Sequence, residues 1–300
     1  MYTIGVDIGG TNARAALFDE KFNIIAKERT STNGKSFDEA IKSIIDIIKK
    51  VDTEDLAKVI GVCSPGPLNK EEGMILDAPN LPDWKHKPFM KLIEEATGKV
   101  AYLTNDANAA AMAQSIDSQD EMLVFITVST GVGGGIVYKG KLIEGKRIYA
   151  GEIGMMIISD EDRKHSKLYS GSLESLCSGT ALALKASQVY GEDMSTKELF
   201  CRYQDRELKA VEIVEQWVEY FSRGIANLLQ IIEPDSFFIG GSVILNNPWL
   251  LDLVEQATRP KVYDGLKDHI VLKVAKYGDD AGLIGAALNG YVNYKEIEDD

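Results

Sequence analysis

The stretch GVDIGGTNARAALFD, residues 5–19, places a glycine-rich turn between two runs that read as strands, residues 3–8 and 13–18. No helix signal follows the glycines. A dinucleotide-binding turn needs Gly-x-Gly-x-x-Gly running into a helix, and a Walker loop needs Gly-Lys-Ser/Thr, so neither motif is present. The stretch therefore predicts a hairpin whose turn presents backbone N–H groups, with no side chain in the way at Gly9 and Gly10.

A second glycine turn, STGVGGG at residues 129–135, lies between two further predicted strands. Four glycines in seven residues weaken a strand pair without structural gain, so the two turns together favour binding of one polyphosphate. A third glycine pair, Gly240-Gly241, ends a predicted strand and leaves room for the flat face of a nucleoside. For the first turn taken alone, a tight hairpin without any ligand is an equal alternative.

Composition restricts the classes of function. The chain has 300 residues, of which 45% are hydrophobic and 26% charged, and its net charge is -13. The length predicts roughly two domains. The negative charge argues against nucleic acids and anionic membranes as partners, because both require a basic face. Three widely spaced cysteines, the lack of a signal-peptide start and the lack of a transmembrane-length apolar window indicate a cytoplasmic protein.

The order of predicted elements suggests two related halves. Each half opens with strand, glycine turn and strand, and then adds helices and strands; helical spacing is clearest at residues 208–232 and from about 280 to 291. We therefore predict an α/β fold with two domains, residues 1–117 and 118–300, and a cleft between them. The last helix is a candidate to pack back on the N-terminal domain.

The segment LTNDANAAAMAQ, residues 103–114, puts polar residues at a predicted switch from strand to helix. Helix capping explains one of Asn105 and Asp106, but not both together with Asn108. A carboxylate at such a switch faces the ligand crevice of an open α/β sheet. Phosphoryl transfer to a hydroxyl requires a carboxylate within hydrogen-bond reach of it, so Asp106 is the candidate base and Asn105 a substrate contact.

These motifs, in this order along nearly the whole chain, resemble the ROK family of sugar kinases within the actin, Hsp70 and hexokinase superfamily. The matching segments are DIGGTNARAALFD (7–19), LTNDANAAA (103–111), STGVGGGIV (129–137), GEIGMM (151–156), IGGSV (239–243) and DDAGLIGAAL (279–288). The resemblance implies two actin-like (ribonuclease H-like) ATPase domains, ATP and Mg²⁺ as cofactors, a small sugar as substrate, and a homodimer.

The resemblance also implies roles for individual residues. Asp106 is the base for the sugar 6-hydroxyl. The sugar-binding residues are Gly66, Asn80, Asn105, Glu152 and Glu174, with both glutamates at the C1–C2 end of the sugar. The nucleotide-binding residues are Asp7, Gly9, Gly10, Thr11, Asn12, Thr130, Gly131, Gly133, Gly240 and Gly241, and Asp7 would hold Mg²⁺ through water. Without the resemblance, Asn80 reads as a surface turn and Glu152 as a solvated carboxylate.

Many ROK members carry a structural zinc held by one histidine and three cysteines, and this chain departs from that pattern. Met155 stands where the histidine would follow GEIG, and Ser172 stands where the last cysteine would lie. His165 and Cys177 do not restore the spacing. Tetrahedral zinc needs about four nitrogen or sulfur ligands, so we predict no zinc. The polar segment ISDEDRKHSKLY, residues 158–169, replaces the zinc loop and is expected to be a mobile surface loop.

The resemblance implies ATP-dependent phosphorylation of a hexose or N-acylhexosamine at the 6-hydroxyl. N-acetylmannosamine is the first expectation and glucose the second, followed by N-acetylglucosamine, fructose and β-glucosides. Met155 leaves the C1–C2 end of the sugar to the two glutamates, or else allows substituents there. One alternative is a sugar-responsive ROK repressor, but such proteins carry a helix-turn-helix before the first glycine motif, and here the strand starts by Thr3. The other is a non-catalytic actin-like protein, against which the sugar-side residues argue.

Overall fold

The computed structural model describes residues 1–146 and 148–299, and at residue 299 the backbone alone. Contacts along the chain divide it into two compact units. The first unit comprises Met1–Gln119, Gly135–Ala150 and Lys276–Asp300; the second comprises Asp120–Gly134 and Gly151–Ala275. Two segments of the predicted C-terminal domain thus cluster with the first unit. The domain boundary at residues 117 and 118 stays a prediction.

The elements of the described chain are numbered in sequence order. The strands are β1 (Tyr2–Ile8), β2 (Asn12–Phe18), β3 (Ile24–Ser31), β4 (Ala57–Ser64), β5 (Leu68–Asn69), β6 (Met74–Ile75), β7 (Val100–Asn105), β8 (Met122–Val128), β9 (Val132–Tyr138), β10 (Lys141–Leu142), β11 (Ser236–Gly240) and β12 (Leu272–Val274). The α-helices are α1 (Phe37–Val51), α2 (Phe89–Thr97), α3 (Asp106–Ser115), α4 (Leu173–Cys177), α5 (Gly179–Tyr190), α6 (Thr196–Gln204), α7 (Leu208–Ile232), α8 (Ser242–Leu245), α9 (Leu250–Thr258) and α10 (Ala281–Asp299). Short 3₁₀ helices lie at Pro82–Trp84, Ile153–Met155, Arg259–Lys261, Asp264–His269 and Gly278–Asp280.

The sheet of the first unit has the strand order β3-β2-β1-β4-β7. As predicted, β1 and β2 form an antiparallel hairpin around the first glycine turn. Strands β4 and β7 run parallel to β1, with Asp7 paired to Cys63 and Ser64 paired to Asn105. The carboxyl ends of three parallel strands therefore meet at one edge of this sheet, which is where ligands bind in open α/β sheets.

Glycines allow α10 to lie directly against the first sheet and against α3. A Cβ atom on Gly61 would lie 1.7 Å from the carbonyl oxygen of Ala286, and one on Gly285 would lie 1.6 Å from that of Ala109. Any larger residue at these positions would force the backbones apart. The close packing holds the first turn of α3 at a constant distance from the sheet.

The second sheet has the order β10-β9-β8-β11-β12, in which β8, β11 and β12 run parallel. Helix α7 spans residues 208–232 as its apolar spacing predicts, and it packs against α4 and α9. Two five-stranded sheets with helices confirm the predicted α/β class.

No helix in the described ranges is long and apolar enough to cross a membrane.

The last helix is longer than its sequence pattern indicates. The apolar spacing predicts an end near Tyr291, whereas α10 continues to Asp299. The extension is polar, and it is supported by local contacts: Asn293 Nδ2 donates to the carbonyl oxygen of Asn289 at 2.7 Å, and Lys295 pairs with Glu298 at 2.6 Å. Apolar periodicity cannot detect such a solvent-exposed helix end.

Candidate active site

The first glycine turn lies at the edge where β1 ends. The backbone N–H of Gly9 donates to the carbonyl oxygen of Asn12 at 2.9 Å, and Thr32 Oγ1 donates to the carbonyl oxygen of Gly9 at 2.6 Å. Thr11 and Asn12 are exposed. Thr32, which directly follows β3, thus holds the turn in place, whereas Gly9 and Gly10 contribute no side chains to its surface.

Asn80 packs directly on this turn. A Cβ atom on Gly10 would lie 2.6 Å from Asn80 Cβ and 2.6 Å from the Asn80 carbonyl oxygen. The structure therefore brings a predicted sugar-binding residue and a predicted phosphate-binding glycine into contact, although they are far apart in the sequence.

Asp7, the last polar residue of β1, is embedded in a network of polar groups. Its carboxylate forms an ion pair with Arg14, whose Nη1 also lies 3.7 Å from Asp280. Cys63 Sγ lies 3.5 Å from Asp7 Oδ1. Burial raises the pKa of the Cys63 thiol well above its ordinary value, and the negative charges of Asp7 and Asp106 raise it further. Both carboxylates therefore act electrostatically on one buried thiol at the edge of the sheet.

Asn105 and Asp106 stand at the junction of β7 and α3, as predicted. Asn105 is the helix N-cap: its Oδ1 accepts from the backbone N–H of Asn108 at 2.6 Å, which leaves Nδ2 as the group that can donate to a sugar. Asp106 is exposed, and its Oδ1 accepts from the backbone N–H of Ala107 at 2.8 Å. Gly66 lies beside this junction, since a Cβ atom there would be 4.0 Å from Asn105 Cβ.

In the second unit, Glu174 meets the second glycine turn. Its Oε1 would lie 3.1 Å from a Cβ atom on Gly131, and its Oε2 would lie 3.1 Å from one on Gly154. Burial raises the pKa of Glu174, although a hydrogen bond from the Val132 backbone acts to lower it. Glu152 is more exposed, yet partial burial and then the Glu174 charge raise its pKa. Glu152 therefore lies close enough to Glu174 for the Glu174 charge to affect it.

A cavity of about 710 Å³ lies within the second unit, and Ser242 and Val243, which directly follow the third glycine pair, are part of its lining. Gly241 has a φ of 83°, and a Cβ atom there would lie 2.3 Å from the Val128 carbonyl oxygen, so only glycine fits. Ser129 and Ser242, which follow two neighbouring parallel strands, lie 3.1 Å apart at the cavity wall. The cavity begins where β8 and β11 end.

Nearly the whole chain matches one known protein family. The sequence model of the ROK family matches residues 3–289. The chain belongs to the ROK family. It is 33% identical to the N-acetylmannosamine kinase of Salmonella arizonae over 294 residues, which cover 96% of this chain and 98% of that one.

Solved structures agree with the family membership. The ROK hexokinase of Thermus thermophilus superposes with a TM-score of 0.92 at 32% identity, covering 99% of this chain and 100% of that one. The ROK family glucokinase of Streptomyces griseus, in complex with glucose and AMPPNP, gives a TM-score of 0.76 at 26% identity over 97% and 100% of the two chains. The predicted actin-like fold class is confirmed.

The predicted site residues of this ROK chain fall into two groups, one in each unit. The first group is Asp7, Gly9, Gly10, Thr11, Asn12, Gly66, Asn80, Asn105 and Asp106; the second is Thr130, Gly131, Gly133, Glu152, Glu174, Gly240 and Gly241. Contacts tie together Gly10 with Asn80, Gly66 with Asn105, and Gly131 with Glu174. The roles of these residues stay predictions.

Sequence reasoning missed the part of the cavity that α5 and α6 contribute. Thr180, at the start of α5, donates through Oγ1 to the carbonyl oxygen of Thr130 at 2.8 Å. Lys197, Cys201 and Gln204 of α6 also line the cavity. No motif surrounds these residues, because they reach the cavity only through the packing of two helices.

The positions associated with zinc in other ROK members have other contacts here. Ser172 Oγ caps α4 by accepting from the Ser175 backbone N–H at 3.3 Å. Cys177 is buried, and its backbone carbonyl accepts from Trp217 Nε1 at 2.7 Å. Within residues 1–146 and 148–299, no group of three or more His, Cys, Asp or Glu side chains is placed to hold a metal ion. The absence of zinc remains a prediction.

Proposed function

We propose that this chain is an ATP-dependent sugar kinase that phosphorylates the 6-hydroxyl of a hexose or an N-acylhexosamine. The observation that carries the proposal is the position of Asp106. Its carboxylate lies at the first turn of α3, at the edge where β1, β4 and β7 end, in the same unit as the first glycine turn. The names of the two relatives described as kinase and hexokinase support the same reaction class.

In the proposed reaction, Asp106 accepts the proton of the 6-hydroxyl while that oxygen attacks the γ-phosphorus atom of ATP. The bond from the γ-phosphorus to the bridging oxygen breaks, and ADP leaves. A loose transition state needs only a modest base, since the proton leaves late. Asn105 Nδ2 and the Asn80 side chain orient neighbouring hydroxyls, because both lie at the same sheet edge as Asp106. The backbone N–H groups of the two glycine turns are proposed to bind the phosphates.

Asp7 fits the proposed role beside Mg²⁺. Magnesium usually binds through one or two carboxylates together with substrate phosphates, and Asp7 offers a carboxylate next to the first glycine turn. Bound Mg²⁺ would neutralise part of the phosphate charge. The ion pair with Arg14 keeps the Asp7 carboxylate oriented.

As the pH is lowered, sugar affinity is expected to start falling at a higher pH than it would if Glu152 and Glu174 had ordinary glutamate pKa values. Glu152 and Glu174 accept hydrogen bonds from sugar hydroxyls more strongly when ionised, and the pKa of each is raised in the free protein. Binding therefore releases protons, and the sugar Kd rises as the pH falls through these raised pKa values. Calorimetry between about pH 7 and 4.5 measures this. Glu174→Gln should weaken binding at neutral pH and flatten the profile; a wild-type Kd that stays constant through this range contradicts the role of the pair.

We propose that the cavity of the second unit holds the nucleoside of ATP, and Cys201 allows a direct check. Cys201 is exposed in this cavity, whereas Cys63 and Cys177 are buried with raised thiol pKa values and should not react. A thiol reagent should therefore label Cys201 and leave Cys63 and Cys177 unmodified. ATP at about 100 times its Kd should slow labelling up to about a hundredfold, because only the empty cavity reacts. Cys201→Ser should remove labelling, and a rate unchanged by saturating ATP contradicts the placement.

For the substrate, we propose N-acetylmannosamine first and glucose second. The Salmonella relative supports the first, and the structures named hexokinase and glucokinase support the second. The test is ADP release from ATP and Mg²⁺ with N-acetylmannosamine, glucose, N-acetylglucosamine, fructose and a β-glucoside. The highest kcat/KM is expected with N-acetylmannosamine. Nucleotide binding with no turnover on any sugar would instead support a non-catalytic or regulatory ROK protein.

A further inference from the structure

Residues 157–171 form a closed loop between the two sugar-side glutamates. The preceding 3₁₀ helix starts just after Glu152, and the loop returns directly to α4, which carries Glu174. The neck of the loop is closed by the Ile158 backbone N–H, which donates to the Gly171 carbonyl oxygen at 2.9 Å. Gly171 has a φ of 71°, and a Cβ atom there would lie 2.0 Å from the Ser159 carbonyl oxygen. Any shift of this loop is thus passed to the start of α4.

The outer part of the loop is attached to α7. Tyr220 Oη donates to Glu161, the Arg163 guanidinium lies 5.8 Å from the centre of the Tyr220 ring, and Arg223 Nη1 donates to the Ile158 carbonyl oxygen at 3.3 Å. These contacts do not reach α4 or α5. They attach the outer part of the loop to α7, but they do not account for the position of Glu174. The predicted mobility of the loop stays a prediction.

His165 supplies the contact that does reach the junction of α4 and α5. Its Nε2 lies 3.1 Å from Ser178 Oγ. Burial lowers the pKa of His165, so the ring is neutral at pH 7. Nδ1 is buried and has no hydrogen-bond partner among the described residues.

Ser178 links two helices. Its backbone N–H donates to the Glu174 carbonyl oxygen at 3.1 Å, which ends α4, and its Oγ accepts from the Ala181 backbone N–H at 3.1 Å, which caps α5. Helix α4 has five residues, too few for a helix to be stable by itself. The orientation of Glu174 therefore depends on the contacts made to this short helix.

We infer that His165 is a positioning residue for sugar binding: it fastens the 157–171 loop to the α4–α5 junction and so holds the Glu174 carboxylate between Gly131 and Gly154. This inference rests on the proposed function, since it assigns a sugar contact to Glu174. The ring does not need to touch the sugar. Loss of the ring removes its hydrogen bond at the end of α4, and even a small shift of α4 would move the Glu174 carboxylate away from Gly131 and Gly154, which both lie against it.

The test compares His165→Ala, His165→Gln and His165→Asn with the matched control His269→Ala, whose histidine is exposed in the same unit. In His165→Ala, the sugar KM should rise about tenfold, the loss expected for one buried hydrogen bond, while kcat and the ATP KM stay within about twofold. A glutamine amide can replace Nε2, so His165→Gln should recover most of the affinity. An asparagine amide is too short to reach Ser178, so His165→Asn should resemble His165→Ala.

Amide hydrogen exchange provides a reading that does not depend on turnover. Exchange in residues 158–178 should rise in His165→Ala and His165→Asn, but not in His165→Gln or the control. Faster exchange in a protein that phosphorylates no sugar would contradict the proposed function while leaving the fastening role supported. Unchanged exchange, or a sugar KM unaffected in His165→Ala, would overturn the inference. A fall in kcat together with equal rises in the ATP KM and the sugar KM would also overturn it, because such a pattern indicates a general structural role.

Discussion

Replacing Asp106 by asparagine is expected to lower kcat by about 10²–10⁴ with little change in sugar affinity. The amide retains the shape of the side chain and can still hydrogen-bond a hydroxyl, but it cannot accept the proton. The N-terminus of α3 stabilises a negative charge at this position, so the wild-type carboxylate is available as a base. Sugar binding is measured by calorimetry and turnover by ADP release.

The matched control for this substitution is Asp46→Asn, an exposed position on α1 in the same unit. It should leave both quantities unchanged. If Asp106→Asn retains normal turnover, residue 106 is not the base. A rise in sugar Kd that matches the loss in kcat/KM would instead make it a binding residue.

Gly10→Ala is expected to lower kcat/KM at least about a hundredfold. The added methyl group would lie 2.6 Å from two atoms of Asn80, one of them a backbone oxygen, so either the turn or Asn80 must shift. A displacement of about 1 Å at a substrate-positioning group can cost that much. Because the proposed phosphate-binding turn and the proposed sugar contact Asn80 would move together, the KM values for ATP and sugar should both rise.

Gly265→Ala is the matched control for the glycine substitution. Among the described residues, no heavy atom outside the local backbone and the two chain neighbours lies within 4 Å of a Cβ placed there, and its φ is not in the left-handed region. Its kinetics and thermal stability should equal those of the wild type. Normal kinetics in Gly10→Ala would show that Asn80 and the turn do not act on the substrates.

Local motifs made part of this site predictable from the sequence. The hairpin around Gly9 and Gly10 follows from strand patterning on both sides of the glycines, and the junction at Asn105 and Asp106 follows from a strand running into an alanine-rich helix. The 25 residues of α7 follow from apolar spacing alone. In each case the determining interactions lie within a few residues of one another.

Other features depend on packing between distant segments and could not be predicted in this way. Arg14 pairs with Asp7 across the hairpin and reaches Asp280 from the far end of the chain. The contact of Asn80 with Gly10 and the α6 wall of the cavity have the same origin. The contacts of the 157–171 loop with Ser178 and Tyr220 were also missed, because its polar composition does not reveal them.

The proposed phosphorylation of the sugar 6-hydroxyl is tested most directly by determining the structure of the product. The wild-type protein is incubated with ATP, Mg²⁺ and its best sugar, and the phosphate position is determined by phosphorus–proton correlation NMR. One sugar 6-phosphate is expected for each ADP released, with both lost together in Asp106→Asn. ADP release that does not depend on sugar, or a phosphate on the anomeric oxygen, would contradict the proposal.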